Sequence, residues 1–240
     1  MNIALIGYGK MGKEIETIAL SHGHSIILKV DVDNAKTYTL AELKKADIAI
    51  EFSTPETAIE NVYKCFEAGV PVVVGTTGWQ NKLDEVKQKC IEKEQTLFYA
   101  SNYSIGVNLF FKLNESLSKL MNSHLEYNVT MEEIHHVHKK DAPSGTAITL
   151  ANKVIEQIDR KQKWVNNSTT NANELSIISK RIDEVPGTHT ITYKSGVDEI
   201  SITHIAHNRR GFALGAVIAA EWLKGKKGIF GMNDLMGTDS

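Results

Sequence analysis

Apolar residues in the first hundred positions fall into short runs separated by stretches of helix length. Met1 to Ile6, Ser25 to Val30, Asp47 to Phe52, Val70 to Val74 and Leu97 to Ala100 are each four to six residues long. Their near-continuous hydrophobicity predicts parallel strands buried on both faces. After the first run, Met11, Ile15, Ile18 and Ala19 recur at helical spacing, and Pro55 follows Ser53-Thr54 as the first turn of another helix. From about residue 104 the rhythm changes. Leu125, Tyr127, Val129 and Met131 alternate along 125–134 and so share one strand face. Glu174–Ser179, Thr188–Lys194 and Glu199–Ile205 read as further strands, the last two joined through Ser195-Gly196 as a hairpin. Between them, Ala147, Leu150, Val154, Ile155 and Ile158 form one side of a helix over 146–158. Polar Lys161–Asn173 reads as a long surface loop. A last helix over 213–223 carries Ala213, Ala216, Val217, Ala220 and Leu223 on one stripe and is expected to return to the first domain.

The first turn changes the meaning of that pattern. Gly7-Tyr8-Gly9-Lys10-Met11-Gly12 lies between a strand and a helix, the context in which a GxGxxG pattern signals a dinucleotide site. Gly7 permits the tight turn, Gly9 lets the backbone approach a pyrophosphate, and Gly12 lets the helix pack against the strand. Asp31 lies 19 positions after Gly12, where such a unit places the group that binds the adenosine ribose. An Asp there favours NAD, whereas nearby Lys10 and Lys36 argue for NADP, so the preference stays open. Alone, the three glycines would suit a plain tight turn; the strand, the helix and Asp31 together favour the cofactor. Gly75-Thr76-Thr77-Gly78 and Ser101 to Ser104 end later strands, where doubly wound sheets bind ligands, although the first is equally consistent with a simple polar loop. The expectation is an α/β protein. An N-terminal Rossmann-type doubly wound parallel sheet occupies 1–104 and 213–240. An α+β substrate-binding and oligomerisation domain, with an open, mostly antiparallel sheet, occupies 105–212. Hinges near 104 and 212 would let hydride donor and acceptor meet in a closing cleft.

Composition narrows the partners. In 240 residues, 27 Lys and Arg stand against 29 Asp and Glu, so bulk charge gives no reason to expect nucleic acid or an acidic membrane. Cys65 and Cys90 form no CxxC pair and read as reduced, helix-borne thiols. The first apolar run is too short for a signal peptide, and no run approaches the ~18 apolar residues of a membrane span. The cytoplasm is the expected compartment. An open sheet leaves an edge and a face to cover, which self-association supplies.

The densest chemistry lies in Glu133-Ile-His135-His136-Val-His138-Lys139-Lys140-Asp141-Ala-Pro-Ser144-Gly145. Imidazoles exchange protons near neutral pH, and Lys139 and Lys140 add positive charge. The following Pro-Ser-Gly-Thr turn opens a helix whose backbone N–H groups suit a carboxylate or phosphate. The stretch therefore reads as a site that grips an anion and protonates it. A metal site is the weaker reading: no Cys or second carboxylate cluster completes it, and consecutive strand histidines face opposite ways. His22, His24, His189, His204 and His207 read as ordinary surface or core residues, and Arg209 and Arg210 as a solvated pair.

Glu133-x-His-His-x-His-Lys-x-Asp-Ala-Pro-Ser-Gly-Thr146 resembles the signature of the 4-hydroxy-tetrahydrodipicolinate reductase (dihydrodipicolinate reductase) family of the lysine and diaminopimelate pathway. The resemblance extends through GYGKMG, GTTGW, Ala100-Ser-Asn-Tyr103, Pro186-Gly-Thr-His189 and the Gly-Phe-Ala-Leu-Gly-Ala216 segment, and covers most of the chain. It implies a homotetramer, its substrate domains supplying the inter-subunit sheet, that reduces a cyclic imine dicarboxylate with NADH or NADPH and loss of water. It implies His135 as general acid and Lys139 as second proton donor, with His136, Gly145 and Thr146 on a substrate carboxylate. Gly7, Tyr8, Gly9, Lys10, Met11, Gly12, Asp31, Gly75, Thr76, Thr77, Ala100, Ser101, Asn102 and Tyr103 would hold the cofactor, and no metal is implied. The glycine loop is one residue shorter than the GxxGxxG form of many members, so the resemblance leaves the choice of NADH or NADPH open. Two rivals remain: another Rossmann-type NAD(P)-dependent dehydrogenase, which leaves HHxHK and PSGT unexplained, and a non-catalytic NAD(P)-sensing module, which has no use for His135 and Lys139.

Overall fold

The structure, a computed structural model, describes residues 1–208 and 210–237. The chain divides into two compact units, Met1–Ile105 with Arg210 onward, and Gly106–Arg209. In the first unit the order is β1 (Asn2–Ile6), α1 (Lys10–Ser21), β2 (Ser25–Val30), α2 (Leu40–Leu43), β3 (Ile48–Glu51), α3 (Pro55–Ala68), β4 (Val72–Val74), α4 (Leu83–Glu92) and β5 (Thr96–Tyr99). The second unit carries α5 (Ile105–Met121), β6 (Asn128–His135), α6 (Gly145–Gln157), β7 (Lys163–Val165), β8 (Glu174–Arg181), β9 (Gly187–Lys194) and β10 (Glu199–Ala206). The chain then re-enters the first unit with α7 (Arg210–Leu223), β11 (Gly228–Phe230) and α8 (Met232–Met236).

The first unit is built on a six-stranded sheet of order β11-β5-β4-β3-β1-β2, parallel throughout. Alternate residues of its strands feed two cores. Ile3, Leu5, Ile48 and Ile50 pack with α1 and α7, while Ala4, Ile6, Ala49 and Val72 pack with α3 and α4. This two-sided burial is why the strands lack polar alternation. Pro55 opens α3 and Gly69 closes it in the left-handed region, φ +67°. Cys65 and Cys90 are free, buried thiols on α3 and α4. Sheet order reverses between β1 and β3, the kind of switch point where parallel sheets open a crevice at strand carboxyl ends.

The second unit holds a five-stranded sheet of order β10-β9-β6-β8-β7. Its longer pairings, β10 with β9 and β9 with β6, are antiparallel as expected. The other arm, β6 with β8 and β8 with β7, is parallel, so the sheet is mixed. The cause is topological: α6 carries the chain from the end of β6 back across the sheet into β7, and the 166–173 connection returns it once more before β8, so all three strands run the same way. β7 also corrects the expectation of an unbroken loop over 161–173. There Lys161 is buried, its Nζ donating to the Glu174 carbonyl at 2.8 Å and to Asn128 Oδ1 at 3.0 Å. Helices α5 and α6 cover one sheet face, where Phe110, Leu150, Val154, Ile177, Ile191 and Tyr193 form the core. Within it Asn114 Nδ2 donates to the Leu150 carbonyl at 3.0 Å, and Ser118 and Tyr193 hydroxyls share a hydrogen bond of 2.8 Å. Among the described residues no helix is long and apolar enough to cross a membrane.

Candidate active site

The glycine turn of the first unit forms one wall of a cleft of about 390 Å³ at the carboxyl ends of β1, β2 and β3. Gly7, Tyr8, Gly9, Asp31, Lys36 and Ser53 line it. Gly7 has φ +95°, and a Cβ there would sit 2.1 Å from the Phe52 carbonyl oxygen. A Cβ on Gly12 would sit 2.3 Å from the Gly7 carbonyl oxygen, whereas one on Gly9 would meet nothing within 4 Å. Gly7 and Gly12 therefore close the turn, and Gly9 leaves bare backbone facing open space. The first turn of α1 has backbone N–H groups that no intrahelical carbonyl accepts. Asp31 directly follows the second strand and stays exposed; its Oδ1 accepts the Val32 N–H at 2.8 Å, and its own N–H donates to Asn34 Oδ1 at 2.7 Å. These features fit a dinucleotide: room for a pyrophosphate at Gly9 and an acidic hydrogen-bond acceptor for ribose.

The remaining cofactor candidates are placed differently. Lys10, Met11 and Gly12 lie in α1, with Met11 packed against the core and Lys10 exposed. The space where a Gly75 Cβ would lie is filled by the Phe52 ring, 2.1 Å away. Thr76 is buried and its Oγ1 accepts the Ser53 N–H at 2.8 Å; Thr77 is exposed. Ala100 and Tyr103 are buried, and the Tyr103 hydroxyl donates to the Val74 carbonyl at 2.7 Å. Asn102 Oδ1 accepts the Ser104 N–H at 2.9 Å, and Ser101 is exposed. Thr76 and Tyr103 thus hold the loops together with the polar atoms that a ligand would otherwise use. Beneath the Ser53 turn lies Glu51, fully buried, accepting from Ser53 N at 3.1 Å and Asn61 Nδ2 at 3.4 Å. Burial pushes its carboxyl up, opposed by hydrogen bonds from Ser53, Thr76 and Asn61.

In the second unit, alternation along β6 turns Val129, Met131, Glu133 and His135 inward. The strand starts apolar and ends in an acid and an imidazole, both buried. Glu133 Oε1 accepts the Ser144 backbone N–H at 3.1 Å and Arg181 Nη2 at 3.1 Å. Its Oε2 lies 3.1 Å from His135 Nδ1 and 3.8 Å from His189 Nε2. Burial alone would raise the Glu133 carboxyl, but the neighbouring polar groups of His135, Ser144, Ser179 and Arg181 hold it well below the usual carboxylate range. His189 is pushed down to about 4, by burial first and then by the neighbouring His135, so it is neutral near pH 7. The His135 and His189 rings meet edge to face, centroids 5.0 Å apart. Ser144 caps α6: its Oγ accepts the Ala147 N–H at 3.2 Å and shares a 3.1 Å hydrogen bond with His189 Nε2. Gly145, exposed and with no atom near its missing Cβ, and half-buried Thr146 then start the helix. Lys139 Nζ is ion-paired with Asp141 Oδ1 at 2.8 Å. His136 lies just beyond β6, its ring 6.1 Å from that of exposed His138, which meets Glu184 at 3.2 Å. Arg210 pairs with Glu14 at 3.1 Å, and Arg209 lies outside the described residues.

Comparison with known proteins adds the decisive observation. The model of the dihydrodipicolinate reductase N-terminus matches residues 1–103, and that of its C-terminus matches residues 106–236. The chain belongs to the dihydrodipicolinate reductase family. A 4-hydroxy-tetrahydrodipicolinate reductase of Christiangramia forsetii is 47% identical over 236 residues, with 98% of each chain covered. One of Neisseria gonorrhoeae is 30% identical over 94% of this chain and 85% of its own. The dipicolinate-bound dihydrodipicolinate reductase of Paenisporosarcina sp. TG-14 shares the fold at TM-score 0.75 and 22% identity, over 98% of both chains. The family is one of NAD(P)H-dependent reductases, and the first unit is its NAD(P)-binding domain.

Membership of the dihydrodipicolinate reductase family does not by itself single out Glu133, Arg181 or His189. His189 reads from sequence as an ordinary histidine, yet it faces Glu133 in the β6–β9 register, and Arg181 faces His135 in the β6–β8 register. The available signal was local: Glu133 lies two residues before His135, hence on the same strand face.

Proposed function

We propose that this protein reduces 4-hydroxy-tetrahydrodipicolinate to tetrahydrodipicolinate with NADH or NADPH and loss of water. The observation that carries the reading is the buried Glu133–His135 pair beside the α6 start, where a proton source and an anion cradle share one cluster. The substrate is a cyclic dicarboxylate; one carboxylate would accept from the backbone N–H groups of Gly145 and Thr146, and Gly145 lets it come close. NAD(P)H, when bound along Gly7 to Gly12 and Asp31, supplies the hydride. As electrons move onto the ring of the conjugated imine, His135 would donate a proton, a contribution typically worth ~10² to 10⁴ in rate. The Lys139 ammonium, released from Asp141 by the incoming substrate, would stabilise the growing negative charge or give a second proton. His136 would help hold the carboxylate.

We further propose a cytoplasmic homotetramer assembled through the open sheet of the second unit, whose edge strand β10 exposes Ile200 and Ile205. Light scattering on the purified protein tests the copy number. The function is tested with substrate generated by the preceding synthase, following NADH and NADPH absorbance separately. Oxidation that requires the synthase product supports the reading; cofactor binding without turnover refutes it in favour of a sensing module.

A further inference from the structure

We propose that Glu133 is a positioning residue that fixes His135 for proton delivery and ties it to the anion cradle at the start of α6. This deepens the reductase reading and rests on it.

Glu133 is fully buried, on the β6 face it shares with core residues Val129 and Met131, and a buried carboxylate is costly unless each oxygen is occupied. Oε1 is accounted for by the Ser144 N–H and Arg181. Oε2 is buried without a completed hydrogen bond, and so is His135 Nδ1. The two atoms stand 3.1 Å apart, so a small turn of the ring joins them. With Nδ1–H held by the carboxylate, Nε2 is the nitrogen left to face substrate. Gly187 leaves that nitrogen uncovered, since the position of its absent Cβ is only 3.1 Å from Nε2. The proton balance is simple. Protonated His135 gives the Nε2 proton to the substrate, keeps the Nδ1 proton against Glu133, and recovers Nε2–H from water. Through Oε1 the same carboxylate holds the Ser144 backbone, the residue that caps α6. One side chain therefore sets the spacing between proton donor and carboxylate cradle. Arg181 on β8 and His189 on β9 face Glu133 directly; Lys139 and His204 act on His189, and Asp141 feels the Glu133 charge.

Glu133→Gln tests the assignment. The amide oxygen can still accept from Ser144 and Arg181, while the charge opposite Nδ1 is lost. The expected result is a kcat lower by about 100-fold or more, with KM for NADH within about twofold. The alkaline limb of the kcat–pH profile should move to lower pH by about one unit or more, a shift that a merely structural role would not produce. A folded variant whose limb stays at the wild-type pH overturns the proposal. Should the variant fail to fold, ring-nitrogen NMR of the wild-type protein decides: neutral His135 protonated on Nδ1 supports the pair, and protonation on Nε2 overturns it. Wild-type protein that does not oxidise NAD(P)H with the synthase product would sink the reductase reading instead, while the NMR result still judges the pair.

Discussion

Gly187→Ala separates catalysis from stability. The new methyl would stand 3.1 Å from His135 Nε2 and 3.3 Å from Cδ2, inside the 3.4 Å at which ordinary contact begins. His135 ends β6 with its ring edge-on to His189, so the ring can yield by a few tenths of an ångström, though not without turning. Overpacking of this size costs about 1 kcal/mol, and removing a glycine's freedom from the unfolded chain returns about 0.4–1 kcal/mol. The net change in stability is therefore expected within about 1 kcal/mol. Catalysis has no such compensation. The methyl partly covers Nε2 and moves the donor, and a displacement of about 1 Å can cost ~10² in rate. A few tenths should cost at least about tenfold in kcat, equal to ~1.4 kcal/mol in the barrier. Urea unfolding and steady-state kinetics with synthase-generated substrate measure both quantities on one preparation. Wild-type kcat in a variant of unchanged stability would show that Nε2 of His135 does not deliver the proton.

Other outcomes follow from the same geometry. His135→Gln or Lys139→Ala should lower kcat by orders of magnitude while leaving NADH affinity, measured by fluorescence titration, nearly unchanged; normal turnover in both would remove them from the mechanism. Asp31→Ala should weaken NADH more than NADPH in the same titration, because a carboxylate favours a free ribose hydroxyl and repels a 2′-phosphate; equal losses would mean that Asp31 does not read the ribose. Gly215→Ala should cost several kcal/mol, since its Cβ would fall 1.7 Å from the Tyr103 carbonyl oxygen, and a wild-type melting temperature would refute the packing described. His189 has its folded value lowered from 6.5 to about 4, so the unfolded chain binds the extra proton first and stability falls as pH drops from 6.5 toward 4, by on the order of 3 kcal/mol. His189→Gln should flatten that part of the stability–pH curve, and an unchanged slope would contradict the assigned burial.

The parallel sheet was legible because each of its longer strands is a continuous apolar run followed by a turn signal, and because the glycine turn names the first crossover. β11 was not, since three residues cannot display a period. Helix α5 was missed for a different reason: exposed Leu109, Leu113 and Leu120 widen the apolar arc beside buried Val107, Phe110 and Met121, while buried Asn114 and Ser118 interrupt the core-facing stripe. The parallel arm of the second sheet depends on a crossover through α6 that alternation does not encode. In the site, the dense histidine–lysine segment and the Ser144 cap were readable from residue type and spacing. Glu133 was readable only as a neighbour of His135 on one strand face; its partners Arg181 and His189 were not, because strand register brings together residues 48 and 56 positions apart, and no local pattern carries that information.

The return of the chain to the first unit has a consequence for biosynthesis. Residues 106–209 leave the ribosome as a finished set, with their own sheet and core, before their host is complete. At that moment the face of the parallel sheet carrying Ile3, Leu5, Ile48 and Ile50 still waits for Ala216, Val217, Ala220 and Leu223 of α7. A nascent chain stalled between the two stages would therefore show a bare apolar wall while its second unit is already folded.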